Sequence, residues 1–233
     1  MKSPLPHHTA ILVFANSSSE ELRHKTFTKD GLLFQELTKH TLKTVKQTKL
    51  PYFHISEQQQ QGNSFGERFT NAIQSIFNKG YEQVITLGND TPQLKKSHIL
   101  SACEHLNKGK SVLGPSTDGG FYLMGIHKSQ FKPQVFTTLS WQTSVLAQEL
   151  LETLDSSSCK TVKLGVLSDI DRVSDVAVFL NSYVTIPRRL LQIIRSILNI
   201  QEKSFHYIDL LLHTYSIKYY FNKGSPSLFS ATF

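Results

Sequence analysis

Apolar runs of strand length alternate with segments of helical period through most of this 233-residue chain. AILVFA (10–15) reads as a buried strand, and in the GLLFQELTKHTLKTVKQ that follows, Leu33, Phe34, Leu37, Thr41 and Val45 fall on one helical side. PYFHIS (51–56) is the next strand. SFGERFTNAIQSIFNKG then places Phe65, Phe69, Ile73, Ile76 and Phe77 at three- and four-residue steps. Ser64 stands as N-cap, Glu67 follows three residues later as in a capping box, and Gly80 lies past the end. The pattern continues with QVITLG (83–88), a helix over Ile99, Cys103 and Leu106, SVLG (111–114) and FYLMGI (121–126). A helix from Trp141 to about Leu154, TVKLGVL (161–167) and a short helix after Asp171 complete it. Such alternation predicts an α/β protein with three layers, α/β/α, around a mostly parallel central sheet. No helix separates SVLG from FYLMGI, so that pair is expected to be antiparallel and the sheet mixed.

Composition supports one sizeable core, with 39% hydrophobic and 10% aromatic residues. No window approaches the ~18–20 consecutive apolar residues of a membrane span, and the N-terminus lacks the pattern of a secretory signal; a cytoplasmic location is the expectation. Cys103 and Cys159 show no metal-ligand spacing and read as inert thiols. The net charge of +7 is uneven: residues 1–186 carry 19 Lys/Arg against 16 Asp/Glu, whereas 187–233 carry 6 against 2. The nearly balanced body has no basic run interleaved with aromatics, so nucleic acid is not an expected partner. Residues 1–186 therefore read as the α/β domain and 187–233 as a basic, apolar C-terminal helical extension. RRLLQIIRSIL has a broad apolar face, and HYIDLLLHTYSIKYYF is apolar and aromatic throughout. Packing on the body is the plain reading of this extension; a homodimer contact or a membrane-surface contact are the alternatives.

In α/β sheets ligands bind beyond the carboxyl ends of the strands. The polar residues there are Asn16 to Ser19, Asn89-Asp90-Thr91-Pro92, Ser116-Thr117-Asp118 and Asp169-Ile170-Asp171. Each set also reads as ordinary structure: an Asx-turn, a tight hairpin, an N-cap with first-turn acids. Together they put carboxylates at successive strand ends. Such carboxylates repel unless a cation sits among them, and magnesium, held by one or two carboxylates plus substrate phosphates, fits that need.

GNSFGERFTNAIQSIFNKGYEQVITLGNDTPQL, then VLGPSTDGGFYLMGI, SWQTSVL and LSDIDRVSDV occur in this order across about residues 10–182. This succession resembles the GT-A-like nucleotide-diphospho-sugar transferase superfamily, within it the bacterial radical-SAM/selenodomain-associated glycosyltransferase-like family. The shared elements are Gly-x-Asp-x-Pro after a central strand, Gly-Pro-x-x-Asp-Gly-Gly with aromatic residues following, a Trp-Gln-Thr element and Asp-Ile-Asp. The resemblance implies sugar transfer from a nucleotide-diphospho-sugar to an acceptor, with Mg2+ or Mn2+ held by Asp90 and Asp171. It implies catalytic roles for Asp118, as base or acceptor of a hydroxyl hydrogen bond, and for Asp169. Ala15, Asn16, Lys25, Gly66, Arg68 and Asn89 would bind the nucleotide, Gly66 and Arg68 because a helix N-terminus and a guanidinium both favour phosphate. Gly119, Gly120 and Trp141 would meet the substrate, the glycines by close backbone approach. One element departs from the family pattern. The first loop, ANSSSEELRHKTF, has neither the proline nor the glycine of the family, keeps only Lys25-Thr26 as its basic counterpart, and adds Glu20 and Glu21. That weighs against the alternative reaction, nucleotidyl transfer from a nucleoside triphosphate. A catalytically impaired relative that acts as a binding protein is a further alternative.

Overall fold

The computed structural model describes residues 8–25, 31–155, 160–172, 175 and 186–198. One sheet runs through them, built from β1 (Thr9–Phe14), β2 (Tyr52–Ile55), β3 (Gln83–Leu87), β4 (Val112–Pro115), β5 (Phe121–His127) and β6 (Val162–Lys163), in the order β2-β1-β3-β5-β4-β6. The helices are α1 (Ser18–His24), α2 (Leu32–Gln47), α3 (Phe65–Asn78), α4 (Lys96–Asn107), α5 (Pro133–Thr138) and α6 (Leu146–Asp155). β1 pairs in parallel with β2 and β3, and β4 with β6; β5 alone runs antiparallel, to β3 and β4. The loop before β5 is too short for a crossover, which reverses the strand and brings Phe121 to the edge where β1, β3 and β4 end. Because β2 and β3 flank β1 on opposite sides, a crevice opens between the carboxyl ends of β1 and β3.

The twofold side-chain period of β1 divides the core. Ala10, Leu12 and Phe14 face α3, where Ile73, Ile76 and Phe77 are buried, and Phe136 of α5. Ile11, Val13 and Ala15 face the other way, toward Val45 of α2 and Ile99 and Leu106 of α4. Helices thus cover both faces of the sheet, as the three-layer expectation requires. At the start of α3 the Ser64 hydroxyl accepts from the Glu67 N–H at 3.1 Å. The Glu67 carboxylate takes the Asn63 N–H at 2.7 Å instead of that of Ser64, because the chain folds closely over Glu67 at Gly62.

Two elements differ from the sequence reading. α6 begins at Leu146, not at Trp141, because residues 140–145 are held in turns. The N–H and hydroxyl of Ser140 both donate to the Glu149 carboxylate, at 2.7 and 2.6 Å, and Gln142 takes φ 61°. TVKLGVL pairs only at Val162 and Lys163 and at one bridge, Leu167 to Ser116; β4 ends in an irregularity at Pro115 and offers no longer ladder. Residues 188–198 are helical, with Leu190, Ile193 and Ile194 buried and Arg188 and Arg189 exposed. The chain divides into two compact units, Met1–Ile194 and Arg195–Phe233. The helix expected after Asp171, the stretch HYIDLLLHTYSIKYYF, Thr26 and Cys159 lie outside the described residues. Among the described residues no helix is long and apolar enough to cross a membrane.

Ile76 is fully buried between α3 and the sheet. Truncating it leaves a cavity that this close-packed layer cannot fill, so Ile76→Ala lowers unfolding stability by about 2–4 kcal/mol, read as a shifted urea midpoint with unchanged slope.

Candidate active site

A cavity of about 850 Å³ occupies the crevice at the carboxyl edge of the sheet. Asn16 reaches it from the end of β1, Lys25 from the end of α1, Asn89 and Asp90 from the end of β3, Ser116 and Asp118 from the β4–β5 turn, and Asp169 and Asp171 from the segment after β6. That segment is stitched along the edge: Thr117 N–H donates to the Leu167 carbonyl at 3.0 Å, Ser168 N–H to the Gln93 side chain at 3.0 Å, and Ile170 N–H to the Asp90 carbonyl at 3.0 Å. Opposite this polar floor stands an aromatic wall. The Trp141 ring lies 4.9 Å from Phe69 and 5.3 Å from Phe65, with Phe121 alongside at 6.2 Å.

Lys25 is the electrostatic centre of the floor. Its Nζ sits 2.7 Å from Asp171, 3.5 Å from Asp90 and 3.4 Å from Glu21, and it donates to the Ile170 carbonyl at 3.4 Å. Burial by itself would favour the neutral amine, but Asp90, Glu21 and Asp171 outweigh it and hold the proton far above the usual lysine range. Asp169 has the opposite situation. Burial, then repulsion from Asp90 and Asp118, pushes its carboxyl up to about 8, against the hydrogen bond donated by Thr91 and the nearby Ser116 hydroxyl. Asp118 is held rigidly: its Oδ1 accepts from the Ser116 hydroxyl at 2.6 Å and from the Gly120 N–H at 2.9 Å. The Ser116 hydroxyl therefore lies between the two carboxyls expected to be catalytic. Burial, then the charge of Asp169, also pushes the Tyr122 phenol up to about 12, and its hydroxyl donates to the Gly165 carbonyl at 3.0 Å.

The residues singled out from the sequence gather here with two exceptions. Ala15, Asn16, Lys25, Arg68, Asn89, Asp90, Asp118, Gly120, Trp141, Asp169 and Asp171 line the cavity, whereas Gly66 and Gly119 lie behind its wall. The close approach that Gly66 permits is to the Trp141 indole: a Cβ there would stand 2.6 Å from the ring. Gly119, at φ 90°, packs on the backbone of Ser144, whose carbonyl a Cβ would strike, and accepts from the Ala147 N–H at 2.9 Å. The Asp-Gly-Gly turn thus fastens the 141–145 segment as well as aiming Asp118. Asn89 turns its amide away, donating to Thr38 of α2 at 2.8 Å, and Trp141 uses its N–H on the Phe136 carbonyl at 2.7 Å, leaving the ring face as its contribution. The first loop, the element that departs from the family pattern, is largely the helix α1. Ser17 caps it, and the Asn16 amide donates to Glu21 at 3.0 Å.

Several site residues have no role assigned from the sequence. Ser116 stands in a strand-end set and Glu21 in the first loop, each without a part of its own. Phe65 and Phe69 were read as core positions of α3, and their spacing on its first turn beside Arg68 was the available signal. Phe121, first residue of the reversed strand, could be placed only once its direction was known.

A family model described as "Uncharacterized protein conserved in bacteria (DUF2064)" matches residues 22–143. No curated protein matches the sequence. Among solved structures, one described as a "putative nucleotide-diphospho-sugar transferase" from Desulfovibrio desulfuricans G20 superposes with a TM-score of 0.72 at 22% identity, covering 82% of this chain and 97% of that one. A 4-diphosphocytidyl-2C-methyl-D-erythritol synthase from Anaerococcus prevotii DSM 20548 gives a TM-score of 0.50 at 11% identity, with 75% and 96% covered. The fold is accordingly that of the GT-A-like nucleotide-diphospho-sugar transferases.

The raised Asp169 carboxyl makes stability depend on pH. Its contribution is complete below the unfolded value near 4 and is lost as pH climbs through about 8, where the folded protein must ionise it. Asp169→Asn removes that loss. Its melting temperature relative to the unsubstituted protein rises from pH 5 to pH 8.5 in chelator-containing buffer, by the equivalent of about 1–3 kcal/mol. Gly119→Ala, which meets both the positive φ and the Ser144 carbonyl, lowers the melting temperature at every pH.

Proposed function

This chain belongs to the family "Uncharacterized protein conserved in bacteria (DUF2064)", and from that premise we propose that it transfers a sugar from a nucleotide-diphospho-sugar to an acceptor hydroxyl. The convergence of Asp90, Asp171 and Lys25 on one point of a cavity that also holds Asp118 carries this reading. A diphosphate needs positive charge as the bond from the anomeric carbon to its phosphate oxygen breaks, and the floor of the cavity is built around a cationic position. Lys25 and Arg68 supply positive charge to the cavity, and the aromatic wall of Phe65, Phe69, Phe121 and Trp141 supplies flat apolar surface for a sugar ring or a base. Asp118, fixed by Ser116 and Gly120, orients the acceptor hydroxyl and takes its proton as the oxygen attacks the anomeric carbon.

The residues also fit a divalent ion. Two carboxylates, one from the end of β3 and one from the segment after β6, close on one cation position, although no group of three His, Cys, Asp or Glu side chains able to hold a metal gathers among the described residues, here or elsewhere. Two protein carboxylates plus phosphate oxygens are what Mg2+ or Mn2+ commonly draws upon. Asp90 and Asp171 would hold the ion, and when bound it would neutralise charge on the departing diphosphate.

In a thermal-shift screen with magnesium present, a nucleotide sugar with a uridine or guanosine base stabilises the protein, by about 2.7 kcal/mol at one hundred times its Kd. Asp90→Ala removes the metal-dependent part of that shift. No shift with any nucleotide sugar, or release of pyrophosphate from a nucleoside triphosphate and a sugar phosphate, would overturn the proposal, the latter in favour of nucleotidyl transfer.

A further inference from the structure

Asp90 and Asp171 are the carboxylates suited to a divalent ion, yet each already has a cation. Lys25 Nζ lies 2.7 Å from Asp171 and 3.5 Å from Asp90, with Glu21 closing a third side at 3.4 Å and the Ile170 carbonyl a fourth at 3.4 Å. The Lys25 side chain is only 16% exposed, and Phe34 stands over the ammonium at 5.9 Å from its ring centre. An ammonium has three donors and no acceptor, so these four oxygens account for all it can offer. A hard divalent ion takes its ligands from the same kind of oxygen at little over 2 Å. Placed between Asp90 and Asp171 it would stand within a few ångströms of the ammonium, and like charges at that distance repel strongly in a partly dry site.

We propose that Lys25 is a built-in occupant of the cation position: Lys25 and a divalent ion exclude each other at Asp90 and Asp171. In the free protein Lys25 serves as the counter-ion of these carboxylates, and the ion enters when an anionic ligand draws the ammonium away. Under the function proposed above, that ligand is the diphosphate of the donor, which makes donor and metal binding mutually dependent. Exclusion itself needs only the geometry of Lys25, Asp90 and Asp171, whereas the trigger rests on that functional reading.

Mn2+ binding, followed by electron paramagnetic resonance of the free ion without nucleotide, tests the exclusion. The unsubstituted protein binds Mn2+ weakly. Lys25→Met binds it at least tenfold more tightly, Lys25→Arg stays as weak as the parent, and adding Asp90→Asn to Lys25→Met abolishes the gain. Equal Mn2+ affinity in the parent and in Lys25→Met would overturn the proposal, as would a gain that survives Asp90→Asn. Lys25→Gln, which retains a hydrogen-bonding group, is the second variant should Lys25→Met fail to fold, with circular dichroism as the check. In a separate arm, UDP or GDP raises Mn2+ affinity of the unsubstituted protein at least tenfold. A gain in Lys25→Met without any nucleotide effect upholds the exclusion and removes the diphosphate trigger, and with it the proposed donor.

Discussion

Crowding of carboxylates at one edge of the sheet is the constraint around which this molecule is organised. Asp90, Asp118, Asp169 and Asp171 all reach one cavity, and Glu21 joins them from α1. Left unbalanced, these charges would repel. The structure answers in two ways: Lys25 bridges Glu21, Asp90 and Asp171, while Asp169 holds its proton into the neutral range. Together these devices lower the negative charge of the edge without cancelling it, which leaves a site suited to exchange one positive partner for another.

The fold supplies the crowding. Parallel strands β1, β3 and β4 all end at the same edge, and the reversal of β5 adds a turn there instead of sending the chain to the far side. Asp118 thereby comes from a hairpin, Asp90 from the end of β3, Glu21 from α1 and Asp169 and Asp171 from the segment after β6, so that only the last two depend on the same short segment. Stitching of the 167–170 segment to Thr117, Gln93 and Asp90 then fixes the last two in register with the rest. Trp141 seats against Gly66 and Gly119 against Ser144, so the apolar wall and the acidic turn are packed on each other rather than placed independently.

Much of this was legible in the residues. Strand-length runs and helical spacing located β1 to β5 and α2 to α4, because burial on one face leaves a regular trace in an amphipathic segment. The strand-end rule marked Asp90, Asp118, Asp169 and Asp171 as neighbours. Less regular segments left no such trace. Residues 140–145 share the apolar content of α6, but Glu149 bonding to Ser140 and the packing of Gly119 on Ser144 hold them in turns. α1 hides in the first loop, since its Ser17 cap is one hydroxyl among several serines.

By itself, then, the sequence determined the layered α/β class, the faces of its helices and which acidic residues meet at the sheet edge, because periodicity and strand order are local properties of the chain. Only the tertiary structure decided that Lys25 stands between Asp90 and Asp171, that Asp169 is a proton-holding carboxyl, and that two of the expected site glycines serve packing behind the wall. Each of these depends on distances between segments far apart in the chain, and electrostatic and steric energies change over a few ångströms that no residue pattern records.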